Sequence, residues 1–309
     1  MTLNKFMREH KDMEKKKALK KKLILIYILL FAAIAAAIIS AVAIGIEMFT
    51  TKQAQEYYSS LTGDVEKNPR PPVDLPPGTL PNTPNSPYSP GHTSPSNGGG
   101  SDDAFIWLPY VDFDVLNATF RGTTAAWILL EDTVIDYPVM QGSDNDYFLR
   151  RLPDGTSHRN GSIFIDYRCS SDFTDRNTLL YGHDMRSGDM FGAFRGYNNQ
   201  AFYEQHPVFY IFTPERDYAL VLFAAYKLDS AVEVPPLTFR DDEAFMAHVA
   251  NIKQRSVFRS DVEVSVGDRI VSLATCDASH KNARLIVVGK LIDLGPFEER
   301  TDPPNAMPE

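Results

Sequence analysis

The chain has 309 residues, of which 43% are hydrophobic and 23% charged, with a formal net charge of −9. That is room for one medium domain with accessories, or for two small ones. Residues 1–22 carry nine Lys/Arg against three acids, a net of +6, so the remainder carries −15. An acidic body excludes nucleic acid as a partner, because holding phosphates needs a basic face. Two cysteines exclude a disulfide scaffold.

In chain order, residues 1–22 read as a basic cytoplasmic tail. Leu23 to Ile46 is an apolar run of 24 residues, interrupted only by Ser40 and Gly45. A helix needs about 20 such residues to cross a bilayer. Residues 23–47 are therefore read as a transmembrane helix seated in the lipid bilayer. A cleaved signal peptide is the alternative, but the run is long for such a core and no small-residue cleavage site follows it. Lysines crowd the N-terminal flank, so the positive-inside rule puts the N-terminus in the cytoplasm and everything after Glu47 outside. The expectation is a single-pass cell-membrane protein with an extracytoplasmic body.

Residues 48–103 read as a stalk without a fold of its own. Met48 to about Val65 is polar and a candidate extension of the helix. Ten prolines fall between Pro69 and Pro95, and Gly98-Gly99-Gly100 closes the stretch. No hydrophobic period survives there, so it buries too little surface to fold, and its prolines favour an extended spacer.

The folded domain is expected over 104–296, with 297–309 as a tail. Short runs rich in Val, Ile, Phe and Tyr, separated by turn residues, make it mostly β. Expected strands are Ala125–Leu130 and Thr133–Met140 around a turn at Glu131-Asp132, then Ser162–Tyr167, Thr178–Tyr181, Val208–Phe212 and Tyr218–Tyr226. Asp261–Val264, Arg269–Ala274 and Arg284–Leu291 complete the set. Asp144–Leu152 and Met190–Phe194 give one or two helical turns each. Phe239 to Arg255 is the clearest helix, with Asp241 or Asp242 as its cap and Phe245, Val249 and Ile252 on one face. Strands at this spacing suggest a barrel or a sandwich.

The chemistry gathers near the C-terminal end, in S-L-A-T-C-D-A-S-H-K-N-A-R-L-I-V-V-G-K-L (Ser272–Leu291). An apolar strand ends on Thr275-Cys276, a polar connection follows, and Arg284 opens the next strand. Adjacent strands would hold a thiol and a guanidinium side by side. A cysteine needs an electropositive neighbourhood to react, because the thiolate is the nucleophile. Arg284 would supply that charge and stabilise an oxyanion. The base is sought upstream, at His183 in N-T-L-L-Y-G-H-D-M.

Taken together these stretches resemble a sortase. Three further ones, I-D-Y-P-V-M-Q-G-S-D-N-D-Y-F-L (Ile135–Leu149), G-S-I-F-I-D-Y-R (Gly161–Arg168) and the long helix before the Cys276 strand, point to class B. The resemblance spans about 105–295. It implies a closed eight-stranded β-barrel with a few helices, one long helix being inserted before the strand that carries the cysteine. Cys276, His183 and Arg284 would converge at one end of it.

The activity implied is that of a cysteine transpeptidase, within the peptide hydrolases. It would cleave a C-terminal sorting signal of a secreted protein after threonine, through a thioester on Cys276. The acyl group would then pass to an amine of peptidoglycan or its lipid-linked precursor. His183 would be the acid–base group, whose near-neutral pKa suits that role. Arg284 would hold the substrate backbone and oxyanion, and no cofactor or metal is needed. Thr275, Tyr181, Asn177 and Asn282 are supporting or groove candidates.

Class B members commonly carry an aromatic residue in the Cys-to-Arg connection, where this chain has Asp277 to Asn282. No second apolar span follows the domain, unlike the pilus-polymerising class C enzymes. Leu80-Pro81-Asn82-Thr83-Pro84 resembles a sorting pentapeptide, and Pro-rich composition alone would also produce it.

Alternative readings are a non-catalytic barrel that binds wall peptides, or another wall cysteine enzyme such as an L,D-transpeptidase or a papain-like hydrolase. Papain-like enzymes place Cys before His, the reverse of the order here. Cys169 sits in no catalytic motif and reads as a free thiol, with a disulfide to Cys276 as the alternative. His280 is a nearer rival to His183 in sequence and reads as a solvated loop residue. Asp184 adjoins His183, but neighbours along a strand point to opposite faces.

Overall fold

The computed structural model describes residues 3–63, 67–69, 107–109, 111–120, 124–229, 233–276 and 283–296. The Pro-rich stretch from residue 70 with Leu80–Pro84, and the connection holding His280 and Asn282, lie outside these residues. Two compact units are present, Met1–Ala54 and Gln55–Glu309. The first is the body of helix α1 (Leu3–Gly63). Its Leu23–Ile46 run rises about 36 Å at 1.5 Å per residue, more than the hydrocarbon core of a bilayer. It is the one helix among the described residues long and apolar enough to cross a membrane.

The sequence reading placed 48–103 in the stalk with Met48 to about Val65 as a candidate extension of the helix; α1 does continue to Gly63, and its last turns belong to the second unit. Tyr58 is buried there with its hydroxyl donating to the Gly161 carbonyl at 2.7 Å, and its ring lies edge-on to Tyr137 at 4.9 Å. Gln55 donates to the Asp189 carboxylate at 3.1 Å. Polar character alone hid this docking, because Tyr58 and Gln55 carry it.

The second unit is a closed barrel of eight strands: β3 (Thr124–Leu129), β4 (Asp136–Gln141), β5 (Ile163–Ile165), β6 (Asn177–Tyr181), β7 (Val208–Phe212), β8 (Asp217–Asp229), β9 (Arg269–Cys276) and β10 (Ala283–Gly295). Around the barrel the order is β3-β4-β5-β6-β9-β10-β8-β7, closing back on β3. All neighbours are antiparallel except β4/β5 and β6/β9. Two short strands ahead of it, β1 (Lys67–Pro69) and β2 (Trp107–Pro109), pair with each other. The strands alternate between a filled interior and a covered exterior, which is why β7 and most of β8 read as continuous apolar runs.

Three helices cover the barrel, α2 (Phe113–Thr119), α3 (Gln200–Gln205) and α4 (Asp242–Arg255). The last is the expected insertion before β9. Asp241 caps it by accepting from Ala244 N at 2.8 Å, Asp242 and Glu243 fill the first turn, and Lys253 and Arg255 the last. Phe245, Val249 and Ile252 are its buried face. Arg176 ties it down, lying 4.1 Å from the Phe245 ring centroid and pairing with Asp242 at 2.9 Å.

Two local expectations change, and helices α2 and α3 were not expected. The Thr133 hydroxyl donates to the Leu130 carbonyl at 2.8 Å and closes a longer turn, so β4 starts at Asp136. Asp261–Val264 forms no strand. Val262 and Val264 are buried, but backbone carbonyls there accept from the side chains of Lys253 and Lys290 instead of from a neighbouring strand. Helices α2 and α3 are too short to show a hydrophobic period.

Candidate active site

Topology brings three distant segments together. β6 runs parallel to β9, with Tyr181 beside Ala274, and Gly182 N donates to the Ala274 carbonyl at 3.1 Å. His183 therefore leaves β6 at the end of the barrel where Thr275 and Cys276 leave β9. β10 returns antiparallel and registers Arg284 against Cys276. A Cβ on Gly182 would lie 2.5 Å from Ile163 Cδ1 and 2.7 Å from the Phe191 ring, so only glycine lets the chain turn so closely on the core.

A cleft of about 220 Å³ opens at this end, lined by Asn145, Leu149, Phe164, Tyr181, His183, Thr275 and Arg284 among others. His183 Nε2 is 2.7 Å from the Leu149 carbonyl. A carbonyl only accepts, so that nitrogen carries the proton and Nδ1 is the basic atom of the neutral ring. Burial pushes the imidazole below its ordinary range; the Leu149 carbonyl opposes this, and the charges of Arg150 and Arg159 add to it.

Arg284 places its guanidinium carbon 5.5 Å from the Tyr181 ring centroid. Its Nε is buried and has no hydrogen-bond partner among the described residues. The buried Thr275 hydroxyl is equally uncommitted. Burial, together with the nearby Asp166 charge, pushes the Tyr181 phenol up to about 12, so it stays protonated and donates to Asp166 at 3.1 Å. The arrangement offers a neutral base and, at Arg284 Nε, a cationic donor with no partner among the described residues, beside the backbone of a cysteine.

The chain is 38% identical over 183 residues to sortase B of Listeria monocytogenes, spanning 59% of this chain and 73% of that protein. It belongs to the class B sortases. It is also 35% identical over 168 residues to sortase B of Staphylococcus aureus, across 54% of this chain and 69% of the relative. The solved S. aureus sortase B–substrate complex matches the fold with a TM-score of 0.56 at 34% identity, covering 59% of this chain and 84% of the other. No family model matches the chain. The chain is thus a sortase-type cysteine transpeptidase, and the barrel is the fold of that family.

Of the sequence candidates, the cleft gathers His183, Arg284, Tyr181 and Thr275, with Cys276 placed beside them by its backbone register. Asn177 stands elsewhere. It pairs with Ile270, six residues before Cys276, and its side chain is spent on Ser272 (2.9 Å) and the Pro236 carbonyl (2.7 Å). Cys169 lies at that same level, its Sγ 3.9 Å from the Asn177 carbonyl. Six residues along a strand is roughly 20 Å, far beyond the ~7 Å Cα separation that a disulfide spans. Cys169 is a buried thiol, pushed up to about 11 by burial, and a bridge to Cys276 is excluded. Asp184 accepts from Arg195 at 2.6 Å. The sequence reading missed Asn145, Leu149 and Asp166, whose only signal was their place in the strings D-N-D-Y-F-L and I-D-Y-R.

Proposed function

We propose that this sortase cleaves a C-terminal sorting signal after threonine and transfers the protein to an amine of peptidoglycan or its lipid-linked precursor. The observation that carries the reading is the convergence of the ends of β6, β9 and β10, with Arg284 in register with Cys276 and His183 two residues past the end of the flanking strand β6. Opposed residues of an antiparallel pair hold their Cα atoms about 4.5–5.5 Å apart. In this reading Nδ1 of neutral His183 takes the Cys276 proton, and the thiolate attacks the threonine carbonyl. The Nε of Arg284 meets the substrate backbone or the oxyanion. The tetrahedral adduct expels its amine, which takes the proton back from the imidazolium and leaves a thioester. An incoming amine then loses its proton to His183, attacks the thioester and regenerates the thiolate. No step needs a cofactor.

The apolar side chains of Leu23–Ile46 are exposed over most of their surface, which supports a single membrane pass with residues 1–22 inside and the barrel outside. The test uses the full chain in detergent micelles with quenched fluorogenic peptides of the N-P-x-T-N, S-P-x-T-G and L-P-x-T-G types. Cleavage after threonine, an acyl adduct on Cys276 by intact mass, and loss of both in Cys276→Ala are expected. A folded wild type with a free thiol that cuts no peptide and forms no adduct would favour the binding-module reading.

A further inference from the structure

We propose that Asp166 is a positioning residue of this site, a buried carboxylate that orients the Asn145 amide and the Tyr181 ring, and through Tyr181 the guanidinium of Arg284. The inference rests on the role given above to Arg284. Asp166 follows β5, is fully buried, and touches the cleft only through its neighbours. Its Oδ2 accepts from Asn145 Nδ2 at 3.0 Å and from the Tyr181 hydroxyl at 3.1 Å. Arg168 donates from Nε to Oδ1 and from Nη2 to Oδ2, each at 2.8 Å. Asn145 Oδ1 in turn accepts from Tyr167 N at 3.1 Å, so the amide is pinned from both ends.

A purely structural ion pair would need only Arg168. Here two uncharged side chains that line the cleft, 36 residues apart in sequence, end on the same oxygen. Burial alone would push the Asp166 carboxyl up. Hydrogen bonds from Arg168, Asn145 and Tyr181 outweigh it and hold the group low, as an anion that only accepts. An acceptor-only group dictates the amide orientation of Asn145 and makes Tyr181 a donor, which fixes the ring on which Arg284 rests. An amide at position 166 would lose that dictation, since it offers donors as well as an acceptor.

The experiment compares wild type, Asp166→Asn, Tyr181→Phe and the double variant as full chains in detergent, each checked for a cooperative melt. Two readouts are taken: kcat and KM on the best-cleaved peptide, and the rate at which phenylglyoxal modifies Arg284, followed by mass spectrometry. Asp166→Asn is expected to lower kcat about tenfold with a smaller change in KM, the effect of one charge-assisted hydrogen bond. Arg284 should be modified several times faster. The double variant should be no worse than the poorer single one, because both cut the same link.

Wild-type kinetics and wild-type Arg284 reactivity in folded Asp166→Asn would overturn the proposal, as would losses that multiply in the double variant. If the wild type cuts no peptide, the activity reading fails alone and the Arg284 modification rate still decides this one. If Asp166→Asn does not fold, Tyr181→Phe decides, since it keeps the ring and removes only the bond to Asp166. Unchanged Arg284 reactivity there overturns the proposal, and faster modification upholds it.

Discussion

Removing Tyr58 tests whether the end of α1 is part of the catalytic unit. Its side chain is 5% exposed, its hydroxyl donates to the Gly161 carbonyl at 2.7 Å, and its ring meets Tyr137 edge-on. Tyr58→Phe keeps the ring and strands a carbonyl, a loss of about 1–2 kcal/mol. Tyr58→Ala also empties an aromatic site, which raises the loss to about 3–5 kcal/mol. For a domain of this size each kcal/mol moves the melting temperature by about 2–4 °C, so shifts of about 2–8 °C and 6–20 °C are expected. Thermal unfolding of the full chain, followed by near-ultraviolet circular dichroism of the barrel aromatics, reads both. A Tyr58→Ala protein that melts with wild type would refute the docking and return Gln55–Gly63 to the stalk. Gly161 makes the site consequence concrete, because a Cβ there would lie 2.4 Å from the Leu149 carbonyl that holds His183.

Two other outcomes follow from the same geometry. Gly182→Ala forces a methyl against Ile163 and Phe191, with an expected cost of about 1–3 kcal/mol by urea unfolding; peptide turnover should fall further than stability, since His183 is the next residue. Burial holds His183, like His206 and His248, below the ordinary 6.5. The unfolded chain then binds more protons between the folded and ordinary values, so this stability is complete above about pH 6.5 and is lost as pH falls through the folded pKa. Urea midpoints at pH 7.5 and 5.5 should differ less in His183→Gln than in wild type, and equal differences would contradict that.

What the sequence revealed and what it hid divide along physical lines. Strands such as Val208–Phe212 and Tyr218–Tyr226 announce themselves because burial on both faces demands continuous apolar residues. Helix α4 shows because its cap and its 3–4 spacing are local. Asp261–Val264 misled because alternation reports burial, not whether a backbone finds a partner strand. At the site, the juxtaposition of Cys276 with Arg284 was readable from one hairpin, whereas Tyr181 was named without its partners. Those partners, Asp166 and through it Asn145, come from separate connections and meet only after the parallel β4/β5 and β6/β9 pairings form. Asn177 looked like a groove residue because it shares β6 with Tyr181, but four residues along a strand carry it to the other end of the barrel wall.

The hairpin of β9 and β10 separates two tasks that selection would otherwise have to satisfy together. Cys276 and Arg284 form the last of eight paired positions that run back to Arg269 and Leu291. A slip of one residue would send every side chain on the strand to the opposite face, and the seven pairs beneath the last one guard against it. The six residues from 277 to 282 are thus relieved of keeping nucleophile and guanidinium in line. Changes in their length or chemistry should therefore leave the pairing of Cys276 with Arg284 in place, because the seven pairs from Thr275/Leu285 back to Arg269/Leu291 hold it.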